Sequence, residues 1–254
     1  MTDENDLISM ADRLKLTFCR DHIEEIISEA GSCRMNPREV LQFVFAKEIA
    51  CREQNRIRLG NMAAHFPRKR TLDDFDFSLQ PCIDMGVIRE LKTLNRVERG
   101  SNILFLGPPG VGKTHLAIGF AELAIERGYS VLFKTAEALI RELDEARNCG
   151  KLEQKMTKLA KVKVLVIDEF GYFPFTAQGA HLLFQLINRR YESKSTILTS
   201  NRPVRDWGLV LGDSTAATAI LDRLLHHCDE LTINGDSYRL ISAKKNNLLA
   251  ENKI

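Results

Sequence analysis

The sequence predicts an α/β protein built on a five-stranded parallel sheet and preceded by a small all-α unit. Short apolar runs alternate with amphipathic segments after about residue 84, and the first 65 residues carry apolar side chains at helical spacing. A glycine-rich stretch at 107–114 follows one apolar run and opens an amphipathic segment. Alternating βα units with continuously apolar strands are typical of a parallel sheet covered by helices on both faces.

Residues 1–66 form the predicted helical unit. Asn36-Pro-Arg-Glu39 is a helix start, with a cap residue, proline at the first helical position and glutamate at the third. Two buried faces are expected, one before Gly31 and one after Pro37; their residues are Leu14, Phe18, Ile23, Ile26, Ile27 and Ala30, then Leu41, Val44, Phe45 and Ile49. A unit this small buries little apolar area, so we expect it to lean on a neighbour or a partner.

A basic cluster closes this unit. The 19 residues from 52 to 70 carry a net charge of +5, whereas the whole chain carries +2. The cations are Arg52, Arg56, Arg58, Arg68, Lys69 and Arg70. Such clusters are typical of DNA-binding surfaces, and the alternative is a solvated helix face followed by a basic linker.

Composition indicates an ordinary globular chain, with 44% hydrophobic and 28% charged residues. No apolar run approaches 18 residues, so neither a membrane span nor a secretory signal is predicted. Six cysteines without a C-x-x-C pair indicate reduced thiols in a cytoplasm. His226-His227-Cys228 does not predict a zinc site, because adjacent side chains are not expected to point at one ion.

Residues 67–83 are predicted to be a linker, and residues 84–254 the α/β domain. A helix is expected around 84–98. Strands are predicted at Asn102–Leu106, Ser130–Lys134, Val162–Asp168, Ser195–Ser200 and Asp229–Ile233. Helices are predicted at about His115–Arg127, Glu137–Asn148, Ala177–Arg190 and Ala216–His227.

The stretch at 107–114 fits G-x-x-x-x-G-K-[ST] at every fixed position. Its residues are Gly107, Pro108, Pro109, Gly110, Val111, Gly112, Lys113 and Thr114. Backbone amides of such a loop cradle phosphates, and the helix that follows presents its positive dipole end. Lys113 would reach the β- and γ-phosphates of ATP, and Thr114 would bind Mg²⁺. The alternative is a Gly/Pro turn with a chance lysine.

Acids and an amide stand at two predicted strand ends. Asp168 and Glu169 follow four apolar residues, where open α/β sheets bind ligands. Asp168 would hold Mg²⁺ through water, and Glu169 would orient and deprotonate the attacking water. Asn201 would position the same water or, alternatively, cap a turn before Pro203.

For two arginines further along the chain, the residues alone leave two roles possible. Arg223 would reach a neighbouring subunit's γ-phosphate or form a surface salt bridge. Arg239 would contact phosphate or, alternatively, form a surface salt bridge. His115, directly after the phosphate loop, is read as a packed or surface helix residue. Phe173-Pro174-Phe175 is read as a buried loop anchor, with a partner-facing surface as the alternative.

Taken together, these segments resemble the IstB-like helper ATPases encoded beside the transposase in bacterial insertion sequences, relatives of the DnaC-type helicase loaders. The resemblance covers nearly the whole chain. Its segments are Thr71–Phe77, Gly107–Thr114 with His115-Leu-Ala117, Asp168–Tyr172, Thr199–Asn201, Asp222–Leu224 and Ser237–Arg239.

This resemblance implies an AAA+ ATPase of the initiator clade that binds duplex DNA with little sequence preference. It further implies ATP-dependent homo-oligomers on DNA and an IstA-like partner transposase. Asn201 then matches sensor I, Arg223 the arginine finger and Arg239 a sensor II-like arginine, while Phe75 and Phe77 lie near the adenine pocket beside His115. Relatives with a lid domain carry sensor II there, and this chain ends about 15 residues after Arg239.

Three competing functions share the phosphate loop. A helicase-loading switch protein would bind a replicative helicase instead of a transposase. A small-molecule kinase would transfer phosphate to a metabolite without salt-sensitive DNA binding, and the basic cluster argues against it. A scaffold that only binds ATP would not need Glu169.

Overall fold

The computed structural model describes residues 3–212 and 214–238. The chain separates into two compact units, Met1–Leu59 and Gly60–Ile254. The predicted division into 1–66, 67–83 and 84–254 places its first boundary inside the second unit. The segment from 67 to 83 contributes buried Leu72, Phe75 and Ile83.

The first unit is helical. Its elements are α1 (Asp3–Arg13), α2 (Thr17–Asp21), α3 (Ile23–Ser32) and the beginning of α4 (Pro37–Ala64). Asn36 caps α4 as predicted: its Oδ1 accepts from the Glu39 amide at 3.0 Å, and Glu39 Oε2 accepts from the Asn36 amide at 2.8 Å. A small core of Ala11, Cys19 and Ile26 is completed by Leu16, Phe18, Phe43 and Val44.

The predicted buried face of α4 is wrong for three of its four residues. Leu41, Phe45 and Ile49 are 55%, 54% and 63% exposed, and Leu14 and Ile27 are exposed as well. The core side of the helix carries Val44 and the buried carboxylate of Glu48, a residue whose charge favours an outward position although its spacing from Val44 places it on the same face.

Glu48 is tolerated in that position because donors surround it. Its Oε2 accepts from the Phe18 amide at 2.9 Å, and its Oε1 accepts from Arg52 Nε at 2.9 Å. Burial opposes ionisation, but the Arg52 donor and the backbone amides of Cys19 and Phe18 outweigh it and lower the pKa of Glu48. The Glu48 carboxylate therefore fixes the start of α2 against α4.

The second unit contains the sheet. Its strands are β1 (Asn102–Leu106), β2 (Val131–Thr135), β3 (Val164–Phe170), β4 (Ser195–Ser200) and β5 (Cys228–Thr232). Its helices after α4 are α5 (Met85–Lys92), α6 (Asn95–Glu98), α7 (Lys113–Glu126), α8 (Ala136–Asn148), α9 (Leu152–Lys161), α10 (Ala177–Arg190), α11 (Trp207–Leu211) and α12 (Ser214–Leu225), with 3₁₀ turns at Phe77–Leu79 and Val204–Asp206.

All five strands are parallel, in the order β2-β3-β4-β1-β5, which confirms the predicted sheet. β4 lies between β1 and β3, with Leu106 of β1 opposite Ser200 of β4. The loop after β1 and the acids of β3 therefore meet across the end of β4.

Packing around the sheet explains the elements that the sequence did not predict. α9 contributes Met156 and Leu159 to the main core, and α11 contributes Trp207, whose ring lies 4.4 Å from that of Phe170. The expected helix at 84–98 is broken into α5 and α6, because Leu94 adopts a left-handed φ of 60°. No helix in the described ranges is long and apolar enough to cross a membrane.

Arg190 is a charged residue in the interior of the second unit, with 1% of its surface exposed. Its guanidinium donates to the carbonyls of Leu159 and Val162 at 2.8 Å each and to that of Ser195 at 2.5 Å. Burial lowers its pKa to about 9, which leaves it protonated at neutral pH. It therefore joins the end of α9 to the start of β4.

We expect Arg190→Ala to lower the free energy of unfolding by about 3–5 kcal/mol, because several buried carbonyls lose their donor at once. Arg189→Ala is the matched control: its guanidinium pairs with exposed Glu153 at 2.8 Å, a contact worth about 0–1 kcal/mol. Urea titration followed by circular dichroism measures both. Equal losses in the two variants would contradict a structural role for Arg190.

Candidate functional site

The glycine loop between β1 and α7 requires conformations that other residues rarely adopt. Gly107 and Gly112 have φ values of 144° and 98°. A Cβ on Gly112 would lie 2.5 Å from the ring of Phe75, and one on Gly107 would collide with the carbonyl of Ile233. These glycines therefore permit close packing on both sides of the loop.

Lys113 begins α7 and turns back over this loop. Its Nζ donates to the carbonyls of Gly107 and Pro108, each at 2.7 Å, and the side chain is buried. The ammonium is thus held inside the curve of the loop, where phosphate oxygens would replace its carbonyl acceptors.

A hydrogen-bonded network joins the loop to the acids of β3. Thr114 Oγ1 donates to Asp168 Oδ1 at 2.9 Å, and Thr199 Oγ1 donates to the same oxygen at 2.5 Å. Thr199 Oγ1 also accepts from the Glu169 amide at 3.0 Å. Asp168 is buried while Glu169 is exposed, so the two neighbouring acids have different environments and are suited to different roles.

Glu169 and Asn201 lie at the carboxyl-terminal edge of the sheet with side-chain groups available to a ligand. Glu169 has a φ of 58°, which is unusual for a residue other than glycine. Asn201 Oδ1 is buried and has no hydrogen-bond partner among the described residues. A buried acceptor of this kind is satisfied by a water or a ligand.

Phe75 and His115 pack beside the loop. Their ring centroids lie 5.3 Å apart, edge to face, and Phe77 lies 4.7 Å from Phe75. His115 Nε2 donates to the carbonyl of Thr71 at 2.8 Å, so it carries the proton. The structure thus brings Phe75 and Phe77, the two residues predicted near the adenine pocket, to one side of the loop, and His115 anchors the segment that carries them.

The chain after β5 packs against the other side of the loop. The amide of Tyr238 donates to the Gly110 carbonyl at 3.0 Å, and Gln80 Nε2 donates to the Asp236 carbonyl at 2.9 Å. A Cβ on Gly110 would collide with Ser237. The predicted phosphate contact from Arg239 lies outside the described residues.

Arg223 lies in the last turn of α12, and the residue that follows it marks its place in the fold. The Leu224 carbonyl accepts from Asn102, the first residue of β1. Arg223 is therefore at the amino-terminal edge of the sheet, whereas the phosphate loop is at the carboxyl-terminal edge. A five-residue strand is roughly 17 Å long, so Arg223 is far from the phosphate loop of its own chain.

Arg223 is held in place by α10 and the turn after it. Its Nε donates to Asn188 Oδ1 at 2.8 Å, and its guanidinium lies 5.0 Å from the ring of Phe184 and 6.0 Å from that of Tyr191. Its observed partners are an amide, a carbonyl and aromatic rings instead of the carboxylate of a surface salt bridge.

The predicted DNA-binding cations fall in both units. In the first unit, Arg52 donates to Glu48 and to the Lys15 carbonyl, so it also has a structural role; Arg56 lies 3.4 Å from Glu53, and Arg58 is exposed. In the second unit, Arg68, Lys69 and Arg70 are all exposed.

His226 and His227 both lie near one carboxylate, although adjacent side chains were not expected to point at one site. Glu192 Oε1 lies 3.7 Å from His226 Nδ1 and 3.5 Å from His227 Nε2, and all three side chains are exposed. The Tyr191 hydroxyl already approaches His226 Nδ1 at 2.6 Å.

The sequence did not predict a role for two residues near Asp168 and Glu169. Thr199 connects Asp168 to the Glu169 backbone, as described above. Arg202 Nε donates to the Gly171 carbonyl at 2.8 Å. The position of Thr199 near the end of an apolar strand, next to Asn201, was the available signal; nothing local marks Arg202.

Comparison with known proteins agrees with this geometry. The family model described as "IstB-like ATP binding protein" matches residues 9–246. The "Insertion sequence IS21 putative ATP-binding protein" of Pseudomonas aeruginosa is 43% identical over 98% of this chain and 94% of its own length. The "Insertion sequence IS5376 putative ATP-binding protein" of Geobacillus stearothermophilus is 44% identical over 90% of this chain and 91% of its own.

Solved structures give the same fold. The DnaC helicase loader aligns with a TM-score of 0.50 and 29% identity, over 58% of this chain and 86% of its own. DnaI aligns with a TM-score of 0.56 and 23% identity, over 66% of this chain and 95% of its own. The second unit thus has the predicted P-loop AAA+ fold, and the chain as a whole belongs to the family of IstB-like ATP-binding proteins of insertion sequences.

Proposed function

We propose that this chain binds and hydrolyses ATP, and that ATP controls its assembly on duplex DNA in support of a partner transposase. The observation that carries the proposal is the network joining Thr114, Asp168, Thr199 and the Glu169 backbone beside the glycine loop. It gathers the groups that ATP hydrolysis requires at one sheet edge.

ATP binding would use the loop amides and Lys113. The Thr114 hydroxyl and the Asp168 carboxylate are hard oxygen donors that already touch each other, a set that fits Mg²⁺. These two residues would hold the ion, directly and through water respectively, and the ion would supply positive charge beside the phosphates. Phe75 would offer an apolar wall to the base.

Hydrolysis would use Glu169 and Asn201. Glu169 is exposed at the strand end, so its carboxylate can accept a proton from water while buried Asp168 stays committed to the metal side. The unpaired Oδ1 of Asn201 is a suitable acceptor for that same water. Thr199 would keep both acids in register.

Completion of the site would require a second copy of the chain. Because Arg223 lies at the opposite edge of the sheet, its guanidinium would reach the γ-phosphate of a neighbouring subunit. ATP would then connect subunits, and hydrolysis would remove the group that Arg223 contacts. A row of subunits would place many basic residues along DNA.

The names of these relatives place them in insertion sequences. This context supports a transposase as the partner that the DNA-bound assembly recruits or stimulates. Helicase loading is the second candidate, favoured by the alignment with the DnaC helicase loader. Pull-down of a replicative helicase, and not of the transposase encoded beside this chain, would favour the second candidate.

We expect Glu169→Gln to keep ATP binding and lose turnover by about 10²–10⁴-fold, because the amide cannot accept the proton. Lys113→Ala should lose binding itself, because the loop loses its cation. Binding of a fluorescent ATP analogue and phosphate release separate the two effects, and Glu153→Gln in α9 serves as the control. Wild-type turnover by Glu169→Gln would indicate a role for ATP binding without this base.

Arg223→Ala should lower DNA-stimulated turnover by roughly 10³-fold or more. Mixing it with Lys113→Ala should restore part of the activity, because the first variant has an intact phosphate loop and the second an intact Arg223. Electron microscopy with duplex DNA and a non-hydrolysable ATP analogue should show discrete assemblies for wild type only when both ligands are present. Activity that never recovers on mixing would assign Arg223 a role within its own chain.

DNA affinity should fall with salt, and neutralising the basic cluster should reduce that dependence. We expect Arg56→Ala/Arg58→Ala and Arg68→Ala/Lys69→Ala/Arg70→Ala each to lower the slope of log K against log salt by about 0.9 per lost phosphate contact. Lys151→Ala/Lys158→Ala/Lys161→Ala removes three cations elsewhere, as many as the larger of the two variants, and should change little. Fluorescence anisotropy on duplexes of unrelated sequence measures this, and equal effects of all three variants would contradict a localised interface.

A further inference from the structure

A groove runs beside Glu169 on the second unit. It encloses about 340 Å³ between α8 and the segment from Glu169 to Thr176. The α8 wall is formed by Glu137, Ile140, Arg141, Asp144, Glu145 and Asn148. These positions recur every three or four residues and so form one helix face, about 16 Å long. The groove is long enough for a peptide that forms a few helical turns, or for a shorter peptide in an extended conformation.

The opposite wall is aromatic and firmly anchored. Phe175 packs against Phe170 at 5.3 Å between ring centroids, and its amide donates to the Val210 carbonyl at 2.7 Å. Phe173, two residues earlier, is 65% exposed. Phe175 is therefore the anchor of this step, although it is only half-buried, whereas Phe173 is exposed and presents an apolar surface to the groove.

The groove is also acidic. Four carboxylates line it, against the single cation Arg141: Glu137, Asp144, Glu145 and Glu169. Asp144 Oδ1 is buried and accepts no hydrogen bond from the described residues, although Arg147 lies 3.7 Å away. This surplus of acceptors repels nucleic-acid phosphates and favours a segment that brings Lys or Arg donors.

We propose that this groove binds a basic segment of the partner transposase, with one aliphatic or aromatic side chain seated against Phe173. The proposal rests on the proposed function, because the transposase is taken from it. A second copy of this chain is the alternative occupant, because the proposed assembly brings a neighbour's Arg223 close to Glu169, and the self-assembly readout below separates the two.

The position of the groove gives this contact a consequence for ATP turnover. Glu169 and Gly171 both line the groove, and both have positive φ values, 58° and 84°. The Gly171 carbonyl is tied to Arg202, and the Glu169 amide to Thr199. An occupant that fixes the 171–173 backbone therefore acts on the backbone that orients Glu169.

The test uses the whole chain, a purified IstA-like transposase, and overlapping peptides that tile that transposase. Asp144→Lys/Glu145→Lys and Phe173→Ser alter the groove. The matched controls are Glu153→Lys, an exposed acid of α9, and Leu209→Ser, an apolar residue that is 80% exposed. Anisotropy at low and high salt measures peptide binding, and phosphate release measures turnover with and without transposase.

We expect at least one basic peptide to bind wild type and both controls, and to bind each groove variant at least tenfold more weakly. Its charge-reversed version should bind Asp144→Lys/Glu145→Lys better than wild type. DNA-stimulated turnover without transposase should be unchanged in the groove variants, which verifies their folding, while the change caused by transposase should be lost.

Other outcomes would overturn the proposal in distinguishable ways. Equal transposase binding by wild type and groove variants would reject the groove and leave the proposed function standing. Failure of wild type to bind transposase at all would reject both. Loss of ATP-dependent self-assembly in the groove variants, with transposase binding intact, would assign the groove to a second copy of the chain.

Discussion

The candidate site depends on the buried carboxylate of Asp168. A buried carboxylate is costly unless donors satisfy it, and here the hydroxyls of Thr114 and Thr199 do so. Because Thr114 belongs to α7 and Thr199 to β4, one side chain fixes three elements relative to one another. The same Thr199 hydroxyl accepts from the Glu169 amide. The position of exposed Glu169 therefore depends on the contact between Thr199 and buried Asp168.

The direction of the strands determines what a single chain can and cannot do. With all five strands parallel, every loop that follows a strand lies at one edge, and every helix that precedes a strand ends at the other. The glycine loop and the acids are at the first edge, and Arg223 is at the second. A parallel sheet thus separates the two halves of the proposed site within a chain, and the proposed assembly would bring them together between chains.

Local sequence predicted the parts of the fold that depend on local physics. Strand-like segments located all five strands, four of them by their apolar runs, although β5 carries two acids. The glycines of 107–114 predicted the loop geometry because glycine adopts positive φ values readily. The errors arose where distant residues decide. Glu48 faces the core of the first unit because Arg52 and the α2 amides neutralise it, and the resulting rotation of α4 exposes Phe45.

The site shows the same division. Lys113, Thr114 and Asp168 are recognisable from spacing, whereas Thr199 acquires its role only when β4 is inserted between β1 and β3. For Arg223, the residue type alone allowed a surface salt bridge as the alternative role. Its place in the topology argues against a contact with the phosphates of its own chain. Strand order, which the sequence did not predict, gives Thr199 its role, whereas the contact between Leu224 and Asn102 shows the edge at which Arg223 lies.

The proposed arrangement of half-sites would also suit a protein whose individual DNA contacts are weak. A few exposed cations per subunit would give modest affinity that salt easily screens, but linked subunits would share one duplex at high effective concentration, so their contacts would reinforce one another. In the proposed assembly the γ-phosphate is the control point, because the loop of one subunit and the arginine of the next would both contact it. Its hydrolysis would weaken every DNA contact in the assembly without altering a single basic residue.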